Sequence, residues 1–215
     1  MRLPLKIDLD NNDRDRKIWF VSDIHYNHEN VLKLNKDTRK FKDIVEMNTY
    51  IEKELVSKIN LDQDIFFDLG DFIWKDDGNV GKKLRSLLPI NSYKIIGNHD
   101  NPGFFSNWTN RGDIFDLMVK YKGETIKLVL SHYPMLDWNN RFHGSLNLHG
   151  HCHGHIDKIN QESGELRFDL GFDGIIAQEV GSFLISFEEI WKRAKEITKG
   201  EDFHNWAKIK LKLNL

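Results

Sequence analysis

Apolar residues in this chain gather in short dense runs, and two spacings alternate along it. Lys17-Ile18-Trp19-Phe20-Val21-Ser22 and Asp64-Ile65-Phe66-Phe67-Asp68-Leu69 are near-continuous apolar runs of strand length, as expected of strands buried on both faces. Tyr93-Lys94-Ile95-Ile96 predicts a third strand. Between the first two, Ile44, Met47, Ile51, Leu55 and Ile59 recur at three- and four-residue steps, which predicts a helix. Asp43 and Glu46 open it with a capping-box spacing, Asp standing in for Ser or Thr. A shorter helix from about Val80 to Leu88 precedes Pro89. The first half therefore reads strand, helix, strand, helix, strand.

The second half is richer in strands. Asp113–Tyr121 and Thr125–Leu130 predict a hairpin across Lys122-Gly123-Glu124. Ser145–His149, Glu165–Leu170 and Ser182–Ser186 predict three more strands. Ser186 and Glu189 form a second capping signature before a helix bearing Ile190, Trp191, Ala194 and Ile197. Met1–Arg16 reads as a polar lead-in, ordered at most around Leu3, Leu5, Ile7 and Leu9. Phe203–Leu215 reads as a basic amphipathic helix against the body, with membrane contact the lesser alternative. One domain with a core of about residues 17–198 is the expectation.

Composition narrows the class without changing this picture. At 215 residues, 40% hydrophobic and 30% charged, the chain matches an ordinary globular protein. A net charge of −2 gives no general attraction to nucleic acid or anionic membrane. Cys152 is the single cysteine, which excludes an intramolecular disulfide and suits a reducing compartment. No apolar run approaches the roughly 20 residues of a membrane span. The expected location is the cytosol.

The candidate chemistry lies where the predicted strands end. Asp23 and His25, Asp71, Asn98 and His99 with Asp100, His132, and His151 with His153 each follow a strand. Ligands of open α/β sheets collect at that edge. In an extended segment His151 and His153 would point to one face and Cys152 away, with Gly150 and Gly154 allowing a tight turn. Carboxylate, amide oxygen and imidazole together favour Mn, Fe or Zn in a catalytic site, Mn first, over a thiolate-rich structural zinc. There are donors for two ions sharing one carboxylate. His149 and His155 read as structural. Arg39, Arg111 and Arg141 are candidate phosphate clamps, with a surface arginine of no special role the commoner outcome for the type. Trp74, Trp108 and Trp138 fall on loops near the site, where core packing is the default and stacking on a base the alternative.

In order, DxH, GD, GNHD, SH and GHxH resemble the calcineurin-like metallophosphoesterase superfamily. Asp23-Ile24-His25-Tyr26-Asn27-His28-Glu29-Asn30-Val31, Leu69-Gly70-Asp71-Phe72, Ser131-His132-Tyr133-Pro134-Met135 and Phe142-His143-Gly144-Ser145 are similar to a small bacterial and phage branch of it. The similarity spans about Ile18 to Trp191. It implies a four-layer α/β/β/α sandwich of two mixed sheets. It also implies that Asp23, His25 and His153 hold one metal, that Asn98, His132 and His151 hold the other, and that Asp71 bridges them. A hydroxide between the ions would be the nucleophile. His99 resembles the catalytic histidine that protonates the leaving oxygen or steadies the phosphate, with Asp100 orienting it. His28 and His143, in text the branch shares, would touch phosphate. The GDxxDRG and GNHE sequences of Ser/Thr protein phosphatases are absent. The expected substrate is a small phosphomonoester or phosphodiester, a nucleotide among them. A nuclease on single-stranded nucleic acid is the alternative, and a silent metal-binding scaffold ranks last.

Overall fold

A computed structural model describes residues 4–11, 15–74, 78–101 and 108–212. In chain order the first half carries β1 (Leu5–Asp8), β2 (Ile18–Val21), α1 (Val31–Leu34), α2 (Ile44–Lys58), β3 (Ile65–Asp68), α3 (Asn79–Ser86), β4 (Ser92–Ile95) and β5 (Asn110–Gly112). The second half carries β6 (Ile114–Tyr121), β7 (Glu124–Ser131), β8 (Leu146–His149), α4 (Asp157–Ser163), β9 (Arg167–Asp169), α5 (Ile175–Val180), β10 (Ile185–Ser186), α6 (Phe187–Ile197) and α7 (Phe203–Lys212). They form two five-stranded sheets, ordered β10-β2-β3-β4-β5 and β1-β6-β7-β8-β9. Both are mixed: β10 is antiparallel to β2 and β7 to β6, and the remaining pairs are parallel.

Alternation explains why the sheets stack. Ile18 and Phe20 of β2 and Ile65 and Phe67 of β3 meet Leu117, Val119, Ile126, Leu128, Leu146 and Leu148 of the other sheet in one buried core. Trp19, Val21 and Phe66 point the other way, onto Met47, Ile51 and Leu55 of α2 and Leu84 of α3. The apolar runs are continuous because both faces of this sheet are covered. On the outer face of the second sheet, Asn160 of α4 bonds to His149 of β8. The two mixed sheets with flanking helices match the expected sandwich.

Both capping signatures are realised. Asp43 accepts from the Glu46 amide at 2.9 Å and Ser186 from the Glu189 amide at 3.2 Å. The lead-in is ordered around Leu5 and Ile7, as its apolar residues predict: Leu5–Asp8 pairs in parallel with β6 as an edge strand and buries Ile7, so the sheet begins before residue 17. β5 has no apolar signature, since Asn110-Arg111-Gly112 is defined by backbone pairing to β4 alone. Among the described residues no helix is long and apolar enough to cross a membrane.

Candidate metal centre and active site

The parallel strands β2, β3 and β4 of one sheet, and β7, β8 and β9 of the other, deliver their C-terminal ends to a common edge. The two edges are sewn together: Ser22 and Gly171 form a bridge, and the Phe172 amide donates to Ser22 O at 3.0 Å. Asp23 and His25 arrive after β2, Asp71 after β3, Asn98 after β4, His132 after β7, and His151 with His153 after β8.

Two convergent groups result. His25 Nε2 and His153 Nε2 are 3.3 Å apart, and Asp23 Oδ1 lies 4.0 and 3.8 Å from them. Asn98 Oδ1 lies 3.0 Å from His132 Nε2 and 2.9 Å from His151 Nδ1. Asp71 Oδ2 stands between the groups, 3.9 Å from His25 Nε2 and 3.5 Å from His132 Nε2. Judged by carboxylate, imidazole and thiol atoms alone, Asp23-His25-His153 and Asp23-Asp71-His132 could each hold an ion.

The donors are prepared for a cation. Asp23 Oδ1 is fully buried and accepts no hydrogen bond, an arrangement that is costly without a positive partner. The other oxygen, Oδ2, accepts from the His151 amide at 2.8 Å. His132 Nδ1 lies 2.9 Å from Leu69 O, and His153 Nδ1 lies 2.7 Å from Asp173 Oδ2. Each contact uses Nδ1 as donor and leaves the Nε2 lone pair facing the centre, the usual support of a metal-binding imidazole. Cys152 offers no competing thiolate, since burial and nearby Asp169 push its thiol up to about 11. The residues present therefore fit borderline divalent ions held by oxygen and nitrogen.

Local backbone shape, rather than extension, aims these side chains. Asp23, His25, Asp71, His151 and His153 have φ of 54, 52, 57, 70 and 47°. Non-glycine residues in this left-handed region cost about 1–3 kcal/mol each and cluster at functional sites. The expected extended presentation of His151 and His153 is thus corrected: β8 ends at His149, and a turn carries both rings inward. Gly150 is required there, because a Cβ would collide with Ser22 Oγ and Asp23 Oδ2. Gly97 is required likewise, as its Cβ would collide with Asp71 Oδ1.

Electrostatics separate the histidines. Burial and the Arg39 guanidinium push His25 down to about 2, so its ring is neutral. Burial also lowers His151. For His132, burial favours the neutral ring, but the Asp71 hydrogen bond and the Asp23 and Asp71 charges outweigh it and raise the pKa above 6.5. The balance at His153 is the same, with Asp173 and Asp23 as partners. Burial pushes the Asp71 carboxyl up, but its contacts with His132 and the His99 amide win and bring it to about 2.

These directions predict a pH dependence. In the metal-free chain, the two raised histidines favour the fold fully below 6.5, and that contribution fades as pH rises through their folded values. A bound cation must displace those protons, so its affinity is expected to weaken as pH falls through the same range, already above 6.5. Calorimetric titration with Mn at pH 7, in two buffers of different ionisation enthalpy, is expected to show net proton release. Affinity that stays constant from pH 6 to 8 would contradict the assignment.

Four expected site residues lie elsewhere. Arg39 is 1% exposed and cannot clamp a substrate. Its Nε and Nη2 donate to Asp173 (2.9 and 2.8 Å), Nη1 donates to Ile24 O (2.8 Å) and Nη2 to Asp23 O (2.5 Å). The guanidinium is spent on the backbone that carries Asp23 and on the carboxylate behind His153. Asp100 does not orient His99: its Oδ2 accepts from the Gly97 and Asp71 amides at 2.8 and 3.0 Å and pairs with buried Lys94. Arg141 and His143 belong to a 3-10 turn before β8. The length of that strand, about 13 Å, separates them from its catalytic end. Arg141 pairs with Glu165, and His143 stacks on His204 of α7 with centroids 5.2 Å apart. Trp108 and Trp138 are buried, the latter donating to Ser145 O.

His28 does reach the rim, its ring 5.3 Å from that of His25. His99 stands exposed beside it, 5.5 Å from His25, with its amide donating to Asp71 Oδ1 at 2.9 Å. Tyr133, 51% exposed, sets its ring edge-on to His132 and His151. Three positioning groups escaped the sequence: Asp173, Asp68 and Lys94. A lysine and an aspartate inside otherwise apolar strands were the available signal for the last two, which pair with each other at zero exposure.

Several known proteins are similar to this chain. An uncharacterized protein of Methanocaldococcus jannaschii is 34% identical over 147 residues, 66% of this chain and 73% of its own. A crystal structure of a protein of unknown function from Aquifex aeolicus shares the fold, with a TM-score of 0.61 at 24% identity over 83% of this chain and 100% of that one. A phosphoesterase from E. coli superposes more loosely, with a TM-score of 0.36 at 15% identity over 64% and 70% of the two chains. The model of the calcineurin-like phosphoesterases matches residues 16–204, a span that includes every strand-end cluster described above. This chain belongs to the calcineurin-like phosphoesterase family and is a metal-dependent phosphoester hydrolase.

Proposed function

We propose that the protein uses two divalent ions, Mn foremost, to hydrolyse a small phosphomonoester or phosphodiester. The observation that carries this reading is Asp71 Oδ2, placed between His25 of one donor group and His132 of the other. Asp23, His25 and His153 would hold one ion and Asn98, His132 and His151 the other, with Asp71 shared. Bound there, the ions would supply Lewis acidity toward the phosphoryl oxygens and lower the pKa of water at the centre.

The chain's own groups do the rest. Asp173 and Leu69 O fix the ring tautomers of His153 and His132, so both Nε2 atoms stay available. His99, outside both donor groups yet next to His25, is placed to give a proton to the leaving oxygen. His28 lines the same side and is placed to contact phosphate. A cytosolic setting goes with this reading.

Metal analysis after Mn reconstitution is expected to find two ions per chain. Hydrolysis of 4-nitrophenyl phosphate, its bis-diester, cyclic nucleotides and single-stranded nucleic acid then sorts the outcomes. Turnover of one of the first three supports the proposal. Cleavage of the polymer alone would replace it with a nuclease, and no turnover with both ions bound would make the protein a scaffold.

A further inference from the structure

With Asp100 turned away, something else must hold the His99 ring. Among the described residues no hydrogen bond reaches that imidazole. Its ring neighbours are Trp74, with centroids 4.7 Å apart and planes tilted by 54°, and His25 at 5.5 Å. Among the described residues, Trp74 belongs to neither hydrophobic core. Its indole lies flat against His28 instead, at 3.7 Å and 8°, and 6.1 Å from His25. Its backbone is pinned, since its amide donates to Tyr26 O at 2.9 Å and the preceding Ile73 bridges Tyr26. A large, half-buried aromatic that packs on three histidines, and not on the core, is placed for the site rather than for stability.

We propose that Trp74, backed by His28, is the positioning residue that holds the exposed His99 imidazole in line with the leaving oxygen. The inference rests on the reading of His99 as proton donor. As the P–O bond to the leaving group breaks, its electron pair stays on that oxygen. The oxygen takes a proton from a ring nitrogen of His99, and the proton lost by the attacking water replaces it there. Proton donation matters only when the leaving group is a poor one: an alkoxide needs the proton, whereas 4-nitrophenolate departs without it. A ring free to swing away from this line loses alkyl esters selectively.

The test compares 4-nitrophenyl phosphate with a simple alkyl phosphate on the Mn-loaded protein. Trp74→Leu is expected to lower kcat for the alkyl ester by about tenfold or more, part of the 10²–10⁴-fold worth of a general acid. Its kcat for the nitrophenyl ester should stay within about twofold with metal content unchanged, and any change in KM, passed on through His28 behind the indole, should be the same for both esters. Trp74→Phe, which keeps a flat ring, should recover most of the alkyl activity; Trp74→Met replaces the leucine variant if that folds poorly. An equal loss on both esters, or none on either, overturns the proposal.

His99→Asn separates the two layers of the inference. It should show the same selectivity more strongly. If it does and the Trp74 variants do not, only the positioning role falls. If it shows no selectivity, the proton-donor reading falls and takes the positioning role with it.

Discussion

Asp71→Asn is expected to strip the centre of metal and to lower turnover by at least about 10³-fold, the scale of losing a principal electrostatic element of a two-metal site. Asparagine keeps the shape of the side chain but removes the negative charge that faces His25 and His132 from between them. If its amide nitrogen turns toward those imidazoles, it presents a donor where a cation should sit. The damage spreads because Asp71 Oδ1 also receives the His99 amide, and the Asp71 amide is held by Asp100 Oδ2. Metal content by elemental analysis, beside single-turnover rates on 4-nitrophenyl phosphate, checks this. Two tightly held ions in the variant would show that Asp71 is not the shared ligand.

Arg39→Met is expected to act first on stability. The guanidinium and the Asp173 carboxylate are both essentially inaccessible to water, at 0% and 1% side-chain exposure. Burial alone would push the Asp173 carboxyl up, but its hydrogen bond to His153 and the Arg39 charge and hydrogen bonds hold it well below the usual range. Taking the cation away leaves a buried anion, which costs about 3–5 kcal/mol. That is a large part of the roughly 5–15 kcal/mol typical of a folded domain. The urea midpoint, measured with chelator present, should fall accordingly. Arg39→Lys is not a remedy, because an ammonium cannot serve the Asp173 carboxylate and two carbonyls in one plane. Adding Asp173→Leu should recover part of the stability but not the metal affinity, since His153 Nδ1 then loses its acceptor. A single variant as stable as the parent would mean that the pair contributes nothing.

The chemistry was legible in this sequence because strand ends are. Apolar runs locate β2, β3, β4, β7 and β8, and the polar residues immediately after them have one edge to meet at. What sits behind that edge was not legible. Arg39 reads as a clamp from its type, and only the packing of α1 and the following turn against Asp173 and Phe172 shows it facing inward. His143 and Arg141 share motif text with the site, yet they enter β8 from its far end, and chain order alone does not say which end of a strand a loop serves. Asp100 adjoins His99 in sequence but points to Lys94, because successive side chains in a turn diverge. Asp173 lies in the stretch Asp169-Leu170-Gly171-Phe172-Asp173, where nothing local marks one aspartate as partner to a histidine 20 residues away. The left-handed backbone at five site residues is invisible for a related reason: only Gly, and less strongly Asn or Asp, announces it.

The origin of the donors carries one more consequence. Asp23, His25, Asp71 and Asn98 come from the sheet built on β2, β3 and β4, whereas His132, His151 and His153 come from the other. Any ion held by His25 and His153 together, or by Asn98 and His132 together, ties one sheet to the other, much as a disulfide would in an oxidising compartment. Unlike a disulfide, this tie is dosed by the surroundings: at 100 times its dissociation constant an ion adds about 2.7 kcal/mol to the fold. The melting temperature then becomes a gauge of free divalent metal, and a cell short of that metal would hold less of the folded protein, not merely a less active one.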